Sequence, residues 1–413
     1  MSIIGSILDN DLYKFSQQQF ALEMFPDVNV EYRFINRRRS NRFNKEFVHL
    51  LKQEILLMSR LGLRNKELLF LKEKCPFFKP GYLSFLKDYR FDPYEVEVDV
   101  AEADNGLDVY EGDLSITIKG PWVSTILWEV PLMAMISELY FDVIDTEWKE
   151  NYSDDLPDGV IDKAWNKGKN LASHNINFAD FGTRRRRSKQ IHRNVVAGLE
   201  RGAMEFQNNS FIGTSNVMIA MERGLKPIGT MAHELFMLIS AKVSLRHANR
   251  FALEYWNQIY KGDLGIALTD TFTTNAFFED FNKQFARVYD GVRHDSGDPF
   301  KFADRVIEHY KSLGIDPKSK MIVFSDGLDV DSAIHLHHHC VGKIKCSFGI
   351  GTHFTNDFKD NPALNMVIKL WSVDDIPVVK LSDKPTKACG EWDALSVAGW
   401  TFLGESLPKS LLT

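Results

Sequence analysis

Along the middle of the chain, short apolar runs stop abruptly at polar or glycine-rich residues, and a stretch with helical spacing follows each stop. The runs end at Ala179-Asp180-Phe181-Gly182-Thr183-Arg184, Phe211-Ile212-Gly213-Thr214-Ser215, Ile228-Gly229-Thr230-Met231-Ala232-His233, Ala267-Leu268-Thr269-Asp270, Val292-Arg293-His294-Asp295-Ser296-Gly297-Asp298, Val323-Phe324-Ser325-Asp326-Gly327 and Phe348-Gly349-Ile350-Gly351-Thr352. Strands that alternate with helices predict a parallel sheet. Chemically active residues at each C-terminal strand end favour a (β/α) barrel, whose mouth would gather Arg, Asp, His, Ser and Gly into one pocket.

The first 120 residues carry a different pattern. Helical spacing covers 12–24, entered through Asp9-Asn10-Asp11 as capping side chains, and 47–61. Alternation predicts strands over 28–35, 94–100 and 113–119, with Tyr94, Val96, Val98 and Val100 on one face and a turn at Asp104-Asn105-Gly106. This is an α+β domain, closed by Gly120-Pro121 and followed by an apolar, buried helix over 131–143. The division expected is an N-terminal domain of residues 1–120, joined by 377–413, and a barrel domain of 121–376. Further helices are expected over 184–205, 233–259 and 299–313.

Composition narrows the function. With 413 residues and 44% hydrophobic content, the chain can bury a large core. A net charge of -6 opposes generic nucleic-acid binding. Cys75, Cys340, Cys346 and Cys389 follow no metal-site spacing and read as reduced thiols of a cytoplasmic protein. No apolar run reaches the ~18 residues of a membrane span, and Met1-Ser2-Ile3-Ile4-Gly5 does not open like a signal peptide.

Ser325-Asp326-Gly327 and Gly349-Ile350-Gly351-Thr352 end the last two strands. Their glycines either make tight turns or let backbone N–H groups approach a phosphate; the pair together favours phosphate. The run Arg184-Arg185-Arg186-Arg187 fits a solvated helix face. Arg184 stands apart, because with Phe181 it could hold a planar anion between a ring and a guanidinium fork. Asp298 before Pro299 reads as a helix cap, leaving Asp270 and Asp295 to hold ribose hydroxyls or Mg²⁺. His233 is either a structural histidine or an acid, base or nucleophile. His335, His337, His338 and His339 read as surface residues rather than a metal site. A sugar-phosphate isomerase or aldolase would want a lysine or an acid–base pair at the strand ends, and no lysine stands at any of the seven.

Taken in order and spacing, these segments, with Leu8-Asp9-Asn10-Asp11-Leu12-Tyr13-Lys14, resemble the nicotinate phosphoribosyltransferase family over nearly the whole chain. The resemblance implies a type II phosphoribosyltransferase fold, an irregular seven-stranded α/β barrel beside an N-terminal α/β domain. It also implies a homodimer with shared active sites. The implied reaction joins nicotinate to phosphoribosyl pyrophosphate, coupled to ATP through a phosphohistidine that matches His233. Phe181 and Tyr13 of the partner subunit would then sandwich the pyridine. Arg184 would meet the nicotinate carboxylate or pyrophosphate, and Thr214 and Ser215 would line the substrate. Asp270 and Asp295 would hold ribose hydroxyls and Mg²⁺, and Arg293 would neutralise pyrophosphate. Ser325, Asp326, Gly327, Gly349, Gly351 and Thr352 would cradle the 5-phosphate. Nicotinamide-using relatives carry an acid where this chain has Ser215, which favours nicotinate here; nicotinamide phosphoribosyltransferase is the alternative.

Overall fold

The structure is a computed structural model that describes residues 2–38, 40–101, 111–151 and 157–407. The turn expected at Asp104-Asn105-Gly106 lies outside them. Contacts group the chain into two compact units, residues 1–228 with 350–369 and residues 229–349 with 370–413. These cut the chain at other places than 120/121 and 376/377.

In the first unit, helix Leu12–Met24 has the predicted span, but its expected caps act elsewhere. Asp11 makes no side-chain cap bond. All three polar residues before the helix are buried and bonded to distant groups. Asp9 takes a two-pronged contact from Arg186 at 2.7 and 2.9 Å, Asn10 donates to the Leu127 carbonyl, and Asp11 accepts from Ser215. Such buried groups need partners more than a helix end open to water does.

Strands β1 (Asn29–Asn36), β2 (Phe43–Asn44), β3 (Val96–Ala101) and β4 (Glu111–Pro121) form an antiparallel sheet in which β4 pairs with the other three. Alternation holds along β4, where Leu114, Ile116 and Ile118 are buried and Asp113, Ser115 and Lys119 are exposed. It fails at Tyr94, which is 95% exposed. Pro93 starts a 3₁₀ turn there, and the inward side chain is Glu95, whose carboxylate accepts the Trp128 indole N–H at 2.9 Å. Helix Glu129–Val143 is apolar and buried through most of its length, as expected.

Strands β5 (Phe178–Asp180) and β6 (Phe211–Thr214) pair in parallel, with Asp180 opposite Thr214. Helices Pro157–Ser173 and Lys189–Met204 flank them. The second is close to the first because it carries glycine: a Cβ on Gly202 would fall 2.2 Å from the Trp165 carbonyl. The helix begins at Lys189, not 184, so the four arginines are not a helix face. Thr183–Arg185 is a 3₁₀ turn, and Arg186 and Arg187 are fully buried. Arg186 is paired with Asp9. The Arg187 guanidinium lies 3.5 Å from the Phe141 ring centroid and 4.1 Å from that of Phe358. An ion pair and an aromatic cage replace the expected solvation.

In the second unit, β7 (Ile266–Leu268), β8 (Gly291–His294), β9 (Met321–Phe324) and β10 (Lys345–Ile350) are parallel neighbours in that order. Phe324 and Phe348 stack on the sheet at 5.5 Å. Six of the seven predicted strand ends therefore belong to parallel strands. The seventh, before His233, makes no strand among the described residues. Thr214 bridges Pro227, which lacks an N–H, and the Thr230 hydroxyl rather than a backbone ladder reaches the Leu264 and Ile266 carbonyls. The helix expected over 233–259 is two helices, His233–Lys242 and Ala248–Tyr260. The N–H groups of Val243 and Ser244 both turn back to the Ile239 carbonyl and end the first. Helix Pro299–Ser312 is capped by Asp298, which accepts from the N–H groups of Phe300 and Lys301. Strand β11 (Met366–Val373) ends in an antiparallel pair with β12 (Ile376–Pro377). Among the described residues, no helix is long and apolar enough to cross a membrane.

Candidate active site

In the second unit, the C-terminal ends of parallel strands converge on one imidazole. His233 is the first residue of its helix and is nearly buried, its side chain 8% exposed. Its Nδ1 lies 3.1 Å from the Thr271 hydroxyl. Its Nε2 lies 2.9 Å from Asp295 Oδ2, 2.9 Å from Lys380 Nζ and 3.7 Å from Asp270 Oδ1. Burial, together with the Lys380 charge, lowers the His233 pKa to about 4, and the two carboxylates only partly oppose this. The ring is therefore neutral at pH 7, which a nucleophile requires. Nε2 faces a group that can only donate, Lys380, and one that only accepts, Asp295. It holds a lone pair when it serves the first and a proton when it serves the second.

Asp270 follows β7 and is fully buried. Burial would raise its pKa, but Lys380 and His233 outweigh that and bring it down to about 2. Its Oδ2 accepts from Ser296 at 2.5 Å and from Lys380 at 3.0 Å, while the buried Oδ1 has no hydrogen-bond partner among the described residues. Asp295 follows β8, is half-buried, and accepts from Ser325 at 3.0 Å. His233 and Arg293 hold it well below the usual carboxylate range against its burial. His233, Asp270 and Asp295 each offer one ligand atom, all within 4.8 Å of one another. The unpartnered Asp270 oxygen makes this set a fit for a divalent cation.

The segment after β12, open in the sequence, straps this cluster. Lys380 is 4% exposed and bridges the histidine and both carboxylates. Ser382 bonds Ser296 at 2.9 Å, and Asp383 accepts from the Thr274 N–H at 2.7 Å. Lys387 pairs with Asp326 and donates to the Asp295 carbonyl. The expectation that no lysine serves a strand end is thus corrected: Lys380 arrives from about 85 residues beyond β8, not from a strand. Arg293 donates to the Met231 carbonyl at 3.1 Å, and its buried Nε has no partner among the described residues.

Tyr13, Phe181, Arg184, Thr214 and Ser215 lie in the first unit. Phe181 is half-buried after β5. Arg184 pairs with Glu129 at 3.3 Å; Glu129 also binds Lys14 at 2.5 Å and accepts from the Tyr13 hydroxyl at 3.4 Å. Those cations bring the Glu129 pKa down to about 2 despite burial. Thr214 is fully buried and donates to Asp180. Ser215 donates to Asp11 at 2.7 Å, so its proton is committed while Asp11 is ionised. Burial raises the Asp11 pKa, with Thr183, Arg184 and Ser215 opposing. Ser325 and Asp326 follow β9 within the cluster, and Gly327 lies beyond them in the left-handed region at φ 59°. Gly349 lies in β10, and Gly351 caps the short helix Thr352–Thr355. The sequence missed Lys380, Ser382, Glu129 and Asp180. By sequence the Lys380–Lys387 stretch either reaches over an active site or is a turn, and nothing local marks where it lands.

The chain matches the model of the nicotinate phosphoribosyltransferase (NAPRTase) family over residues 176–403, and that of the NAPRTase N-terminal domain over 8–137. The nicotinate phosphoribosyltransferase of Methanosarcina acetivorans is 52% identical over 410 residues, covering 96% of this chain and 98% of that protein. That of Chromohalobacter salexigens is 42% identical over 403 residues, 96% and 97% of the two chains. The crystal structure of nicotinate phosphoribosyltransferase from Porphyromonas gingivalis superposes with a TM-score of 0.88 at 39% identity, over 97% of this chain and 100% of that one.

Proposed function

Because the chain belongs to the nicotinate phosphoribosyltransferase family, we propose that it makes nicotinate mononucleotide and pyrophosphate from nicotinate and phosphoribosyl pyrophosphate, in NAD biosynthesis. The observation that carries it is the neutral, buried His233 held among Asp295, Asp270 and Lys380 at the C-terminal ends of parallel strands. The pyridine nitrogen attacks the anomeric carbon while the bond to pyrophosphate breaks and its electron pair leaves with the oxygen. Positive charge builds on the ribose and negative charge on the leaving group, so fixed charge is the main catalytic task.

In this proposal, ATP phosphorylates His233 at Nε2. The Nε2 lone pair attacks the terminal phosphorus while the bond to the bridging oxygen breaks and ADP leaves with the electron pair. The ring proton stays on Nδ1, facing the Thr271 hydroxyl. Lys380 neutralises the phosphoryl group, and later hydrolysis returns the free histidine and inorganic phosphate. Asp270 and Asp295 would hold Mg²⁺, which supplies positive charge for pyrophosphate. Arg293 serves the same charge. Ser325, Asp326, Gly327, Gly349, Gly351 and Thr352 receive the 5-phosphate. Phe181 and Tyr13 of the partner subunit face the pyridine, with Arg184 for its carboxylate and Thr214 and Ser215 beside it. An irregular seven-stranded barrel, a homodimer with shared sites and a cytoplasmic setting complete the proposal. Similarity to family members supports these assignments.

The test is turnover with phosphoribosyl pyrophosphate, Mg²⁺ and either nicotinate or nicotinamide, with and without ATP. Nicotinate mononucleotide formation strengthened by ATP is expected. Turnover of nicotinamide alone would move the chain to the alternative activity.

A further inference from the structure

Asp180 is fully buried where β5 ends, and its bonds run in four directions. Oδ1 accepts the Gly182 N–H at 2.9 Å. Oδ2 accepts the Thr214 hydroxyl at 2.6 Å and lies 2.6 Å from His192 Nε2. The Asp180 carbonyl accepts the Ser215 N–H at 2.8 Å. His192 is also fully buried, and its Nδ1 has no hydrogen-bond partner among the described residues. Its ring proton therefore belongs on Nε2, donated to Asp180.

The far side of the same turn is held as firmly. The Phe181 N–H donates to the Ile350 carbonyl at 2.9 Å, and the Thr355 hydroxyl donates to the Gly182 carbonyl at 2.9 Å. A Cβ on Gly182 would fall 2.3 Å from the Thr355 side chain, so the turn admits no larger residue without displacing Thr355. The backbone is fixed on both sides while the Phe181 ring stays half-buried. One carboxylate anchors the neighbours of both residues, Gly182 after the aromatic face and Thr214 before Ser215, and the Asp180 carbonyl holds the Ser215 N–H directly.

We infer that Asp180 is a positioning residue for the pyridine substrate, oriented by His192 and Thr214, which holds Phe181 and Ser215 at a fixed separation. This rests on the proposal that Phe181 and Ser215 meet nicotinate. A carboxylate with three side-chain and backbone donors cannot rotate, and preorganisation of this kind lowers the ordering cost of binding. The clamp acts on ring binding and not on the displacement at ribose, so it affects KM for nicotinate and spares kcat.

The experiment compares steady-state kinetics of the wild type, His192→Leu and His192→Gln. Leucine removes a charge-assisted donor, and the nicotinate KM is expected to rise about tenfold. The expected kcat and phosphoribosyl pyrophosphate KM stay within about twofold. Glutamine, whose amide N–H can reach Asp180, is expected to restore the nicotinate KM. An unchanged nicotinate KM in an active His192→Leu enzyme overturns the inference. So does a loss of kcat with unchanged KM in both variants, the mark of a structural role alone. If His192→Leu does not fold, His192→Phe keeps a ring in the same place without the N–H donor and must show the same split. A wild type that does not convert nicotinate overturns the substrate proposal itself. Amide exchange at Gly182 and Ser215 separates the two failures: it must speed up in His192→Leu, and unchanged protection overturns the clamp.

Discussion

The molecule holds two aspartate–histidine pairs at the ends of parallel strands, one in each unit, and they are built for opposite tasks. In the first unit, Asp180 and His192 lie 2.6 Å apart with neither side chain exposed. Asp180 has its donors, and the outward nitrogen of His192 is sealed against water. In the second unit, Asp295 and His233 lie 2.9 Å apart, but Asp295 is 28% exposed and a lysine touches the same nitrogen. Asp270 beside them keeps an oxygen unbonded. The difference lies in what surrounds each pair. Satisfied on every side, an Asp–His pair is a bracket; with an open edge, a competing cation and a spare ligand oxygen, it stays reactive.

Breaking the open pair should have the largest effect. His233→Ala is expected to abolish the ATP stimulation of nicotinate turnover and all acid-labile phosphate incorporation from ATP labelled at its terminal phosphate. Full labelling of that variant would move the phosphorylated residue elsewhere. Lys380→Met comes next, removing the cation that distinguishes this pair from the other. Turnover is expected to fall on the order of 10²-fold, the scale of one preorganised charge. The His233 titration, followed by NMR of the ring protons, is expected to shift above about 4, since Lys380 lowers it and both carboxylates remain. A midpoint that does not move would show that burial alone sets it.

Ser215→Asp is expected to cost about tenfold in nicotinate turnover. It sets a second carboxylate against Asp11, and one of the two must then hold a proton. Equal discrimination between nicotinate and nicotinamide in mutant and wild type would remove Ser215 from substrate choice. The smallest effect is on stability. His233 titrates near 6.5 unfolded and near 4 folded, so between those values the unfolded chain binds more protons. Stability is therefore lost as pH falls from about 6.5 through about 4. His233→Gln should flatten that part of the profile, read as urea midpoints at a series of pH values.

Alternation and strand ends made much of this architecture legible. Leu12–Met24, β4 and Pro299–Ser312 carry their periodicity openly, and Asp298, the residue before a proline, caps its helix as its position requires. His233, Asp270 and Asp295 were visible because strand ends are where a parallel sheet puts its chemistry. What stayed hidden depends on tertiary partners. Asp9 to Asp11 look like caps until Arg186 and Ser215 claim them. Arg186 and Arg187 look like solvated surface until an acid and an aromatic cage are folded around them. Asp180 had no local pattern separating it from any acid at a strand end. Lys380 was hidden for another reason: its distance along the chain from the residues it serves.

That distance sets an order of events in synthesis. A ribosome has finished His233, Asp270 and Asp295 well before it reaches Lys380, so the nascent chain holds two acids and an imidazole without their counter-ion. Closing the strap supplies the ammonium and, through Lys387, the partner of Asp326. The centre around His233 thus comes into being only after the strands that carry its acids have been made. A chain released before residue 380 could build the parallel strands and still be chemically silent.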